Sequence, residues 1–385
     1  MEVDKSINLL LKSGTSISKE DLKLLRKFVV CNKKRNVEYI YQELMEELAD
    51  ITYKYLDSPV INGISSSISL EQVNLNIYGG NSIIYDTEYD IASITKLFTL
   101  ILVWKYIDNG LLHLTDKVCD IDYHFPYLDY TIEDLIKMSG HIVTNSRVDL
   151  AHNREDAYQR LYSVHAVDYD KEVNNYTDIG FMVLATIIEH ISDRKFEDII
   201  VEFYNSYGIK INQKKNVVGN GHTDILPHDP KIRMIGGCLG SAGIFINSEN
   251  MMKMASRLFN DCNLISKDNL YKLSHKLFKA NHANKGYGGV YVKHPLGIKK
   301  SSTPNAYSNL SFSHQGYTGS CVIFDPFHQI HNSILVDAIK ENEQKDLSFY
   351  QYFNEYHQHL IMITLKTYLT QQQHQHNKMK IIQRL

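Results

Sequence analysis

Ser93 and Lys96 stand three residues apart at the head of a stretch, residues 94–104, that is apolar on nearly every side. The pattern predicts a helix with no solvent face, and such a helix belongs in the middle of a domain. At this spacing both side chains rise on one face of the helix. Ser93 in the first turn would meet unpaired backbone N–H groups and the positive end of the helix dipole, which favour developing negative charge. A lysine inside such a helix is costly unless it is paired or its charged form is suppressed. A hydroxyl beside that amine is the Ser-Lys form of an activated nucleophile; the alternative is a structural helix cap. Ser16/Lys19 and Ser192/Lys195 share the spacing. The first precedes a charged amphipathic helix and the second follows the end of an apolar one, so only Ser93/Lys96 opens a buried helix.

Tyr176 lies just ahead of a second apolar helix that starts near Asp178, the same placement as Ser93. A phenol beside an ammonium gives up its proton more easily than an isolated one, which would make Tyr176 the base or proton relay for Ser93. Asp178 would hydrogen-bond Lys96 or a substrate amide; the alternative is a capping aspartate and a core tyrosine. Farther on, His314 and Gly316 precede a strand. Glycine there lets a substrate approach the strand edge, and His314 is a donor for an oxyanion or a proton network; the alternative is a plain turn. The glycine-rich loop at 236–243 follows no strand and lacks a Walker lysine, so it reads as a tight turn near the cleft.

Taken in order, Ser93-x-x-Lys96, Tyr176-x-Asp178 and His314-x-Gly316 resemble the serine β-lactamase-like superfamily, in the branch of class C β-lactamases, DD-peptidases and related esterases. The flanks agree: Asp90-Ile91-Ala92 before the serine, Ile179-Gly180-Phe181 after the second motif, His228-Asp229 ahead of the glycine loop, and Phe324-Asp325-Pro326 after the third. The resemblance covers roughly residues 37 to 370. It implies that Ser93 is acylated, that Lys96 helps deprotonate it, that Tyr176 is the general base and acid, and that Asp178 completes the hydrogen-bond set. His314 would stand where many relatives have a lysine, and the backbone N–H groups of Ser93 and Tyr317 would form the oxyanion hole. Neither cofactor nor metal is implied. Asp178 replaces an asparagine and His314 replaces a permanent cation, which fits esterases and peptidase-like hydrolases better than lactamases.

The elements that must position these groups follow from periodicity. Helical spacing predicts a helix near Lys19 and a clearer one from Val37 to Tyr55, stopped at Ser58-Pro59. Residues 61–70 and 73–78 read as a hairpin turning at Glu71-Gln72. Residues 131–275 are mainly helical. Strands are expected at 287–293, 319–325 and 330–337, then a helix with Phe349, Phe353, Tyr356, Leu360 and Ile363 on one stripe. The expected fold class is therefore α+β. An antiparallel sheet built from the N- and C-terminal parts is flanked by helices, with a mainly helical lobe inserted at about 112–280. The expected boundaries are a helical extension at 1–35, the hydrolase domain at 36–370 and a polar tail at 371–385, whose His374/His376 pair reads as solvated.

A net charge of −3 and no basic stripe argue against nucleic acid. The cysteines (Cys31, Cys119, Cys238, Cys262, Cys321) are scattered, which suits free thiols in a reducing compartment. No export signal or membrane span is read, so a cytoplasmic location is expected, away from peptidoglycan. The leading expectation is a serine hydrolase acting on a small-molecule or peptide-like acyl substrate, an ester or small amide. A DD-peptidase, D-aminopeptidase or weak β-lactamase, and a non-catalytic binding protein of the same fold, are the alternatives. Oligomeric state stays open.

Overall fold

The computed structural model describes residues 19–32, 35–57, 61–70, 73–80, 83, 85–168, 173–213, 227–259, 263–276, 278–280, 285–292, 308, 310–327, 329–338 and 347–382. A six-stranded sheet is built from β1 (Ile61–Leu70), β2 (Val73–Gly80), β3 (Tyr291–Val292), β4 (Phe312–Gln315), β5 (Cys321–Asp325) and β6 (Ile330–Ala338), in the order β2-β1-β6-β5-β4-β3. Every pairing is antiparallel. β1 runs against β6 from Ile61 opposite Ala338 to Leu70 opposite Ile330, so the two ends of the chain close one sheet.

Alternation gives the sheet two buried faces. Ile64 and Ile68 of β1, Ile323 of β5 and Ile334 of β6 pack against α2 (Val37–Leu56) and α5 (Leu347–Ile382) through Ile40, Leu44, Leu48, Leu360 and Ile363. Val322 and Phe324, one residue out of phase with Ile323, join the larger core on the opposite face. The earlier helix α1 (Lys19–Asn32) contributes Leu25 to the first of these cores.

The helical lobe lies in sequence between β2 and β3. At its heart is α3 (Thr95–Asp108), in which every residue from Thr95 to Trp104 is buried. The apolar run has the packing its pattern predicts: Tyr204 also donates to the Phe98 carbonyl at 2.8 Å, tying a neighbouring helix to it. The second apolar helix, α4 (Ile179–Ser192), is buried from Gly180 to Ile188.

Several elements differ from expectation. Only Tyr291–Val292 of the strand expected at 287–293 is extended; Tyr287–Gly289 is a 3-10 turn, because Gly288 and Gly289 take φ of 68° and 74°. Conversely, Phe312–Gln315 forms β4 rather than a loop, with Phe312 opposite Phe324 and Gln315 opposite Cys321. The stretch read as a polar tail continues α5 as far as Ile382. Glutamine favours helix, so polarity there does not mean an absence of structure. Residues 1–18, the turn at 71–72, Lys293 and Cys262 lie outside the described residues, as do the side chains of Phe349, Phe353 and Tyr356. The other four cysteines are free. Among the described residues no helix is long and apolar enough to cross a membrane.

Candidate active site

Ser93 does not sit in α3 itself but in a 3-10 turn, Ala92–Ile94, that feeds into it. That turn is held under strain, with Ala92 at φ 44°. Asp90 fixes it. One carboxylate oxygen accepts the Ala92 N–H at 2.8 Å, and the other accepts the His228 N–H at 2.8 Å. Thr318 donates its hydroxyl to the Asp90 carbonyl at 2.8 Å, bringing the turn after β4 against the nucleophile. The approach is close enough that a Cβ on Gly316 would stand 2.5 Å from the Ile91 carbonyl oxygen, so glycine is required there by space. Tyr317, in the same turn, stacks on His228 with ring centroids 4.5 Å apart.

Ser93 is half-buried and Lys96 fully buried. Lys96 Nζ donates to Ser93 Oγ at 3.0 Å and to the Ser241 carbonyl at 3.1 Å, and pairs with Asp178 Oδ1 at 2.7 Å. Three acceptors match the three donors of an ammonium. Burial alone would push Lys96 down, but Tyr176 and Asp178 outweigh it and the amine is held above its ordinary value. Lys96 is therefore a fixed cation in the resting protein rather than a free base. The Ser241 carbonyl comes from the glycine-rich loop, which also supplies the Gly240 carbonyl to Thr99 Oγ1 at 2.8 Å; the loop is thus part of the wall around Lys96.

Asp178 immediately precedes α4. Its second oxygen meets Lys231 at 3.0 Å, and Lys231 meets Asp229 at the same distance. Burial works to raise the Asp178 carboxyl, yet Lys96 and Lys231 hold it well below the usual carboxylate range. The negative charge of Asp178 is thus matched by two ammonium groups. Tyr176 is 45% exposed, and its ring centroid lies 4.9 Å from Lys96 Nζ and 5.2 Å from Lys285 Nζ.

His314 has a backbone carbonyl near each ring nitrogen. It is buried on β4, with Nδ1 3.1 Å from the Gln315 carbonyl and Nε2 3.3 Å from the Gly288 carbonyl. Burial, then the charges of Lys96 and Lys285, push it down to about 3, so it is neutral and donates to one of these carbonyls. No bond among the described residues joins it to Ser93, Lys96 or Tyr176. The structure thus brings together Ser93, Lys96, Tyr176 and Asp178, with Gly316 and Tyr317 at the rim and His314 behind.

Two amines were missed in the sequence. Lys231 sits in a short helix, Pro230–Ile235, with nothing but its charge to mark it; the His228-Asp229 flank two residues away was the available signal. Lys285 is 9% exposed, donates to the Gly289 carbonyl at 3.1 Å and lies 3.3 Å over the Tyr291 ring. Burial first and Lys96 second push it down to about 7. A cavity of about 200 Å³ bounded by Gly140, Ile142, Asn175 and Thr177 opens beside Tyr176.

Solved structures share this architecture. A D-amino acid amidase from Ochrobactrum anthropi SV3, complexed with L-phenylalanine amide, superposes with a TM-score of 0.63 at 13% identity, over 83% of this chain and 98% of that one. EstCE1, described as a hydrolase with promiscuous acyltransferase activity, gives 0.61 at 12% identity, over 82% and 98%. A class C beta-lactamase mutant gives 0.60 at 14% identity, over 81% and 97%. At such identities the likeness is one of fold. No curated protein sequence matches the chain. The Beta-lactamase family model matches residues 75–350, from β2 to the start of α5 and through all three motifs, and the chain belongs to that family.

Proposed function

We propose that this chain is a serine hydrolase that cleaves an ester or small amide through an acyl-enzyme on Ser93. The observation that carries the reading is the 3.0 Å bond from a buried, fully coordinated Lys96 to the half-buried Ser93, with the Tyr176 phenol alongside. Because all three Lys96 donors are engaged, the amine orients Ser93 and stabilises negative charge, and Tyr176 is the group left to take the proton. Tyr176, acting as general base beside Lys96, accepts the Ser93 proton as Oγ attacks the substrate carbonyl carbon. The oxyanion would be received by the backbone N–H groups of Ser93 and Tyr317. Tyr176 then returns the proton to the leaving alcohol or amine as the carbon–heteroatom bond breaks. Water repeats the cycle, leaving Ser93 protonated and Tyr176 as it began. The small cavity beside Tyr176 suits a compact acyl or leaving group.

A second reading, a DD-peptidase-like activity on a peptide that ends in a carboxylate, is favoured by one observation. Lys285 supplies an amine on the Tyr176 side, where the third motif has a neutral His314.

A fluorophosphonate probe is expected to add its mass to Ser93, and Ser93→Ala is expected to lose p-nitrophenyl acetate turnover. No adduct together with unchanged turnover in the variant would leave a non-catalytic binding protein as the reading. Comparing short esters with D-Ala-D-Ala peptides, which end in a carboxylate, separates the two substrate classes.

A further inference from the structure

A cavity of about 750 Å³ lies at the opposite end of α4 from Asp178, and its wall holds Asp122, His124 and His190. His190 lies twelve residues along from Asp178, which at about 1.5 Å per residue puts it roughly 18 Å away. We propose that these three side chains form a binding site for a divalent transition-metal ion, of the kind zinc exemplifies, separate from the hydrolytic centre.

The first ground is an imbalance of charge. The Asp122 side chain is 3% exposed, and a carboxylate taken out of water needs a cation or a full set of donors. Two other charged groups of this wall are matched: Arg154 bonds Glu197 at 2.7 Å, and Glu189 accepts from Tyr158 and from the Phe196 N–H. Asp122 instead meets two imidazoles, His124 Nδ1 at 2.7 Å and His190 Nδ1 at 3.8 Å, and the His124 backbone N–H at 3.0 Å. Among the described residues no lysine or arginine lies within ion-pair distance of it.

The second ground is geometry. One donor atom from each residue can be chosen so that all three lie within 4.8 Å of one another. Ligands about 2.0–2.2 Å from a tetrahedral zinc stand roughly 3.3 Å apart. The 2.7 Å pair would open and the 3.8 Å pair close, each by about half an ångström. The moving parts are imidazoles 33% and 37% exposed, while the carboxylate stays fixed. Packing already aims the rings: His124 stacks on Tyr162 at 4.4 Å and meets the tilted ring of Tyr123 at 4.0 Å, and Tyr123 also meets His190 edge-on at 5.8 Å. His190 is in the last turn of α4, where the negative end of the helix dipole favours a cation. Since all three ligands line the cavity, the ion would keep a coordination position open to water or a small ligand.

The rival account is a simple His124–Asp122 hydrogen bond, in which His190 has no part. Full-length protein, stripped with chelator and dialysed against Zn²⁺ or Co²⁺ at slightly alkaline pH, is expected to retain one equivalent of metal. With Co²⁺ it should show the visible bands of a tetrahedral site. His190→Ala and His124→Ala are expected to weaken binding at least tenfold while circular dichroism and esterase activity stay unchanged. A His374→Ala/His376→Ala variant, which removes the histidine pair on α5, is expected to bind as wild type does. No metal retained by the wild type, binding unaffected by His190→Ala, or loss only in the α5 variant would each overturn the proposal.

Discussion

At the N-terminal end of α4, Asp178 lies between Lys96 at 2.7 Å and Lys231 at 3.0 Å; at the C-terminal end, Asp122 lies between His124 at 2.7 Å and His190 at 3.8 Å. Both carboxylates need counter-charge, and the two ends supply it in different currencies. Lys96, held above its ordinary value, offers no lone pair while protonated, so the first end is a rigid electrostatic frame around Ser93. An imidazole nitrogen can offer a lone pair, which is what the proposed ion site uses at the second end. One helix thus carries a fixed centre and an open one, joined by a buried apolar body from Gly180 to Ile188.

The sharpest way to break this contrast is activity. Ser93→Ala and Lys96→Met are expected to lower kcat/KM for an activated ester by about 10³-fold or more, whereas His190→Ala should change it less than about twofold. Equal losses from both ends would mean that they are not separate. Stability comes next. Asp178→Asn takes from the buried Lys96 its only carboxylate partner among the described residues, and from Lys231 one of two, an expected loss of about 3 kcal/mol in urea unfolding. Asp122→Asn releases only part-exposed imidazoles and is expected to lose about 1 kcal/mol. Because the Asp178 carboxyl is held below its unfolded value, its contribution is present above about pH 4. It disappears as pH falls through the lower folded value, so the gap between wild type and Asp178→Asn should close in acid.

The smallest effect concerns Lys285, pushed down to about 7 in the folded chain. Between that value and about 10.4 the unfolded chain binds the extra proton, so wild-type stability rises with pH across this window. Lys285→Met is expected to stabilise the protein by about 1–2 kcal/mol at pH 6, where the buried ammonium is a burden. The advantage should fade by about pH 10. If Lys285 acts in the Tyr176 reaction, the same variant flattens the limb of the kcat/KM profile near pH 7; a profile unchanged in shape would confine Lys285 to substrate recognition or packing.

Much of the frame was legible because it depends on local periods. Residues 73–77 alternate and form β2; residues 94–104 are apolar all round and form a fully buried α3. The expected strand at 287–293 went wrong where two glycines adopted positive φ, which tyrosine and valine neighbours do not reveal. β4 was hidden because Ser313, His314 and Gln315 are polar, and only pairing with β5 makes them a strand. His314 kept its position in the motif, and its burial against the Gly288 carbonyl, from a segment distant in sequence, was not visible there.

The sequence by itself determined the pairing of Ser93 with Lys96, because residues three apart in a helical stretch share a face whatever the rest of the chain does. It determined too that this helix must be interior. The tertiary structure alone decided that Lys96 is a charged, three-way-bonded ammonium, that Lys231 and Lys285 join the site, and that His190 comes up beside Asp122 and His124. Those facts rest on meetings between segments distant in sequence, set by closure of β1 against β6 and by the packing of α3 and α4. Burial and counter-charge, which fix protonation, exist only once those segments have met.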